Sequence, residues 1–242
     1  MVDEKQASDT GLQFRDQAAM NAFSGPTESR YVDRGMIGNM NIPDRQEFLR
    51  GCEEFEKHEK RDAMYKVATF LVSSSWGKPS DMADGLGVLL LTWNQAFYRA
   101  GSFDFSRLQK CIAKNLEKID NFRKREISSL SRSDEENIRK LFSEFLDALR
   151  IDTGKNKGRR SPVGVAKALH LLAPDFFPLW DASIERAYGC YDNEKADEKY
   201  VAFCWISKAF ASEVKKYVNR SDKTVLKFID EYNYSKYTQG WI

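Results

Sequence analysis

Residues 150–189 read RIDTGKNKGRRSPVGVAKALHLLAPDFFPLWDASIERAYG, and the punctuation inside this stretch decides the fold. Ser161-Pro162 is a helix start. The serine hydroxyl can accept from the open amides of a first turn, and proline there gives up only an N–H that has no intrahelical partner. The run VGVAKALHLL that follows is apolar on most faces, and Pro174 stops it. Pro178 keeps the next residues extended, and Asp181 stands before a short helix. No segment here or elsewhere alternates with period two over a useful length, so the expected class is all-α.

Upstream, Ser133 with Glu136 reads as a capping box for a helix striped by Ile138, Leu141, Phe142, Phe145, Leu146 and Leu149. An earlier helix carries Leu108, Ile112, Leu116 and Ile119 at 3–4 spacing. A core helix is expected over 82–99, centred on VLLLTWNQAF. A first helix starts near Asp44, with Phe48, Cys52 and Phe55 on one face and then Met64, Val67, Ala68 and Leu71, until Gly77-Lys78-Pro79 breaks it. Beyond the opening stretch, helices are expected at 182–188, 195–218 and 222–233, the last capped by Ser221 or Asp222. Residues 1–43 are polar, show no sustained period and read as an N-terminal extension, partly ordered at best.

The 242 residues are nearly charge-balanced, with 38 basic and 36 acidic side chains. Between positions 153 and 174, however, there are five cations (Lys155, Lys157, Arg159, Arg160, Lys167) and no acid, so the positive charge is local. No apolar run approaches the roughly 18 residues of a membrane span, and the acidic start MVDEKQASDTG lacks the core of a secretory leader. Cys52, Cys111, Cys190 and Cys204 are scattered as suits a reducing cytoplasm, the expected location. His58 and His170 are far apart and there is no CxxC, which argues against a metal. Neither GxGxxG nor GxxxxGK[ST] occurs, so no nucleotide cofactor is expected.

A helix N-terminus offers free amides and the positive end of a dipole, which suits phosphate. Gly154 and Gly158 would let the backbone approach such a ligand, with Lys155, Lys157, Arg159, Arg160, Ser161 and Gly164 as contacts. A solvated basic loop is the plainer alternative. Asp181, after Phe176-Phe177-Pro178-Leu179-Trp180, could cap the next helix, and a carboxylate among rings is partly desolvated and chemically useful. Lys167 in its apolar helix either snorkels to solvent, the preferred reading, or is a site amine. His170, one turn on, reads more readily as a satisfied core residue than as an acid–base group.

These residues carry a resemblance. The order of a glycine-containing basic loop, SPVGVAKA and then WDASIER resembles the DNA glycosylases of the helix-hairpin-helix superfamily, in which a hairpin grips DNA phosphates and a downstream aspartate is catalytic. Pro162 or Val163 stands where the hairpin has its first glycine, and the iron–sulfur cysteines of some members are absent. The resemblance implies a two-lobed helical domain over 44–242 with a DNA-binding loop-helix at 152–172, acting as a monomer on double-stranded DNA. It implies Asp181 as the catalytic acid, Arg186 as a DNA contact and Lys167 as the amine of lysine-bearing members. Asn94 or Gln95, in LLLTWNQAFYR, would lie near a flipped-out base, with Trp93, His170, Phe177 and Trp180 as further pocket residues. The implied reaction is hydrolysis of an N-glycosidic bond, by a monofunctional enzyme that leaves an abasic site after base flipping. A damaged or hypermodified base is expected, such as a modified base of phage DNA in anti-phage defence. The alternatives are a non-catalytic helical DNA-binding protein and a DNA-pyrimidine-modifying enzyme on the same scaffold.

Overall fold

The computed structural model describes residues 42–191, 194–218 and 223–242. The described residues are all-helical, with no strand and one isolated bridge, Phe103 to Ile151. In chain order the helices are α1 (Arg45–His58), α2 (Asp62–Ser74), α3 (Pro79–Trp93), α4 (Gln95–Tyr98) and α5 (Phe105–Arg123). Next come α6 (Glu135–Ala148), α7 (Pro162–Leu172), α8 (Ala182–Ala187), α9 (Ala196–Val214) and α10 (Val225–Asn233). The chain closes in a π-helical turn, Tyr234–Gln239.

Apart from Ile42 and Pro43, the expected N-terminal extension lies outside the described residues, as do Ser221 and Asp222. The cap of α10 is Thr224, whose hydroxyl accepts from the Lys227 amide at 3.1 Å.

The expected first helix is two helices. At the end of α1 the Glu59 carboxylate folds back onto the Arg61 amide and guanidinium, at 2.9 Å each. A side chain that takes up a nearby backbone N–H competes with helix continuation. The break re-phases the chain: α2 buries Tyr65, Ala68 and Val72, while Met64 and Val67 face solvent.

The core helix also divides. α3 stops at Trp93, the Asn94 amide donates to Ser161 Oγ at 3.0 Å, and α4 is a single turn. The capping box before α6 uses Ser131 and Asp134 rather than Ser133 and Glu136. Asp134 accepts from the Ser131 N–H at 2.8 Å and is clamped by Arg125 at 2.7 and 2.8 Å, which ties this register down more firmly than a lone hydroxyl would.

One continuous apolar core runs through the molecule. α3 packs on α2, α5 and α7; α6 on α7 and α9; and α10 on α1. All four cysteines are buried and unpaired within it. No helix among the described residues is long and apolar enough to cross a membrane.

Candidate functional site

Where α3 ends against α7 and α8 begins, ten residues enclose a cavity of about 50 Å³. α7 contributes Lys167, the extended stretch after it Leu179 and Trp180, and the start of α8 Asp181. α10 contributes Asp230, and Phe55, Glu59, Arg61, Trp93 and Tyr234 complete the wall. The space suits a small number of waters and is too small for an aromatic ring.

Lys167 points inward. α3 ends in carbonyls with no intrahelical partner, and the last of them, on Trp93, accepts from Lys167 Nζ at 2.9 Å. The amine therefore reaches a helix end instead of snorkelling. Burial pushes it down to about 8, against the pull of the Asp181 and Asp230 carboxylates and of Glu59, and with Arg61 lowering it further. An amine in that range is still mostly protonated near physiological pH, but its neutral fraction is far larger than that of an ordinary lysine.

Asp181 is the N-cap of α8. Its Oδ1 accepts from the Ser183 and Ile184 amides at 2.9 and 3.0 Å. Its Oδ2 accepts from the Thr238 hydroxyl at 2.6 Å, so the π-helical turn pins the carboxylate from the far side. Capping and a place in the cavity wall coexist on one side chain. One turn on, buried Glu185 is pushed up to about 7 by burial and by the Asp181 charge.

Four wall residues escape the sequence reading: Glu59, Arg61, Asp230 and Tyr234. Asp230 is buried, and burial raises it to about 6. It is held by Lys227 at 3.2 Å, an amine with 1% exposure that also faces Glu231 at 3.3 Å and Asp62 at 3.5 Å. The rings of Phe55, Tyr65 and Trp93 surround that amine at 4.1, 5.0 and 5.4 Å. On the solvent side, Arg61 Nη2 donates to Glu59 at 2.7 Å and to the Tyr234 hydroxyl at 2.9 Å. That hydroxyl donates to Glu59 Oε2 at 2.9 Å.

The other expected pocket residues divide. Trp93 and Trp180 line the cavity. Trp93 also stacks on Tyr65 at 5.6 Å and donates to the Arg61 carbonyl at 2.7 Å. Gln95 is exposed on α4, and Asn94 serves the α7 start. His170 and Phe177 sit in the core behind the cavity wall. The Phe177 carbonyl can only accept, so His170 Nδ1 carries the hydrogen at 2.8 Å and Nε2 accepts from the Tyr65 hydroxyl at 2.9 Å. Burial holds His170 down at about 3, neutral and fully satisfied.

The basic loop is a tight structure with its cations outside. The Ile151 amide donates to the Arg159 carbonyl at 2.9 Å, and the Gly158 amide returns to the Ile151 carbonyl at 2.7 Å. Gly154 has φ +77°, and a Cβ there would stand 2.1 Å from the Ala100 carbonyl oxygen. That glycine is required by the protein's own backbone. Arg107 fastens the loop's base through Asp152 at 3.0 Å and the Arg150 carbonyl at 2.9 Å. Lys155, Lys157, Arg159 and Arg160 are exposed or partly so at the surface. Arg160 reaches Asp147 at 3.4 Å, and Arg159 lies 5.7 Å from the Phe97 ring. Ser161 and Gly164, expected in a phosphate cradle, are buried, and the Gly164 amide is taken by Ser161 Oγ at 3.0 Å. Arg186 is exposed and lies over Tyr191 at 4.4 Å.

No family model matches the chain, and neither a curated protein nor a solved structure matches it.

Proposed function

We propose that this chain is a DNA glycosylase of the two-lobed helix-hairpin-helix type that removes a damaged or hypermodified base and leaves an abasic site. The observation that carries this reading is the meeting of Lys167 and Asp181 in the wall of one aromatic cavity, on the helix that follows an exposed cationic loop and at the start of the next. The loop cations hold the DNA backbone through charge, which fixes position without reading sequence. The target nucleotide leaves the stack, and Arg61, the exposed member of the cavity wall, swings out to admit it.

As the C1′–N bond breaks, the sugar gains oxocarbenium character and the base departs with the bonding pair, to be protonated. Asp181, held by two amides and a hydroxyl, needs no reorganisation to stabilise that cation. In the hydrolytic route a water adds to C1′ and gives up a proton, a logic shared with glycoside hydrolysis.

One observation favours a second route. Lys167 sits in the cavity with its amine lowered to about 8, so it can itself attack C1′ and pass to a Schiff base as the sugar ring opens. The test is incubation with duplexes carrying normal, oxidised, alkylated and phage-type modified bases, scored for abasic sites. Abasic sites made by wild type and lost in Asp181→Asn support the reading. DNA binding without abasic sites on any substrate points to a non-catalytic binder.

A further inference from the structure

Besides Asp181 the cavity wall holds two carboxylates, Glu59 and Asp230, and neither the hydrolytic nor the amine route uses Asp230. Asp230 and Lys167 arrive from helices far apart in sequence, yet both border one space of about 50 Å³. Asp230 is anchored from behind by Lys227, and Lys227 keeps Glu231 and Asp62 as further partners. Asp62 in turn reaches the surface through Lys66 at 3.4 Å. The arrangement fixes a carboxylate in the same cavity wall as a half-buried amine.

We infer that Asp230 is a positioning residue that, together with Asp181, tunes the pH at which the Lys167 amine becomes a nucleophile. This rests on the reading of Lys167 as a site amine given above. The charges that act on Lys167 are Asp181 from α8, Asp230 from α10, and Glu59 and Arg61 from the break between α1 and α2. Those that act on Asp230 are Lys227, Glu231 and Asp181. An anion beside an ammonium stabilises the protonated form and opposes desolvation, which favours the free amine. While Asp230 is ionised it holds the proton on Lys167; without that charge the proton leaves at lower pH. Asp181, held by Ser183, Ile184 and Thr238, pulls in the same direction and more strongly, so Asp230 tunes a pH that the two carboxylates set together.

The experiment uses a duplex with one preformed abasic site, whose aldehyde condenses with an amine to a Schiff base and water, and borohydride to trap the adduct. The extent of early trapping is followed from pH 5.5 to pH 9.5. Wild type should trap with a midpoint near 8, and Lys167→Ala should not trap. Asp230→Asn should move the midpoint down and raise trapping at pH 6.5 several-fold, a gain that a loosened fold does not produce. Asp230→Glu, which restores the charge, should return the profile toward wild type. Coincident wild-type and Asp230→Asn profiles, or no wild-type adduct at any pH, would overturn the inference. Should Asp230→Asn fail to fold, the Lys167 resonance of ¹³C-methylated wild type decides: a second inflection near pH 6 supports the coupling, and a single one overturns it. Absence of abasic sites from every intact substrate defeats the excision reading alone, since trapping starts from an aldehyde already present.

Discussion

The basic loop and the cavity are built from the same kinds of side chain and put them to opposite use. Lys155, Lys157, Arg159 and Arg160 stand in water, where each charge is solvated and screened within about 10 Å at moderate salt. Asp230 and Lys227 are buried and Lys167 is half-buried, so their charge states depend on the neighbours they retain. The loop can hold a polyanion at long range without chemistry. On the proposed reading, the cavity does its chemistry through a few partners held at fixed positions.

The severest challenge to this contrast is Lys227→Met. It removes the shared cation of Asp62, Asp230 and Glu231; Glu231 keeps Lys223 at 2.9 Å and Asp62 keeps Lys66 at 3.4 Å, while buried Asp230 loses the cation that holds it. Removing one partner of a buried pair typically costs about 3–5 kcal/mol. Urea denaturation should show a loss of that order. A change within about 0.5 kcal/mol, the usual range for surface substitutions, would mean that the buried cluster is hydrated like the loop.

Asp181→Asn comes next. Asparagine remains a good N-cap, so the melting temperature should hold while base excision falls about 100- to 1,000-fold, the usual effect of deleting one preorganised electrostatic partner of a transition state. Full activity in this variant would remove Asp181 from the mechanism.

A smaller effect concerns pH. His170 is near 3 in the fold against an ordinary 6.5. Between those values the unfolded chain binds the extra proton, so this group makes stability rise with pH and decline as pH falls below about 6.5. His170→Gln should flatten the stability–pH slope in that window relative to wild type. Parallel slopes would show that the ring is not neutral in the core.

The smallest effect belongs to the loop. Arg159→Ala with Arg160→Ala should weaken binding to all DNA sequences alike and flatten the log–log salt slope by about 0.9 for each phosphate the loop no longer neutralises. An unchanged slope, measured by titration at several salt concentrations, would take the loop out of DNA binding.

The helix start at Ser161-Pro162, its stop before Pro174 and the stripe of α6 are legible in the sequence because each is set by neighbours in the chain. The break at Glu59–Arg61 is not, because it turns on a side chain folding back on its own backbone. Lys167 is legible as an oddity within VGVAKALHLL, but its direction depends on where α3 happens to end. Asp230 is hidden for a related reason. The pattern Lys227, Asp230, Glu231 has the i, i+3 and i, i+4 spacing of a solvated helix face, and the packing of α10 against α1, α9 and the π-helical turn buries it. Its one signal is that the neighbouring positions, Phe228, Ile229 and Tyr232, are apolar as well, which leaves α10 without a polar face to give to water.

The break between α1 and α2 also bears on timing. Deep members of the cavity wall such as Phe55, Leu179 and Trp180 are buried, whereas the Arg61 side chain is 56% exposed and held by Glu59 and Tyr234. On the proposed reading, a guest passes this arm both on arrival and on departure. A residue at such a threshold alters the height of a barrier common to both directions, so it changes how long an occupant stays and how fast it comes while leaving the ratio of the two, and hence affinity, nearly unmoved.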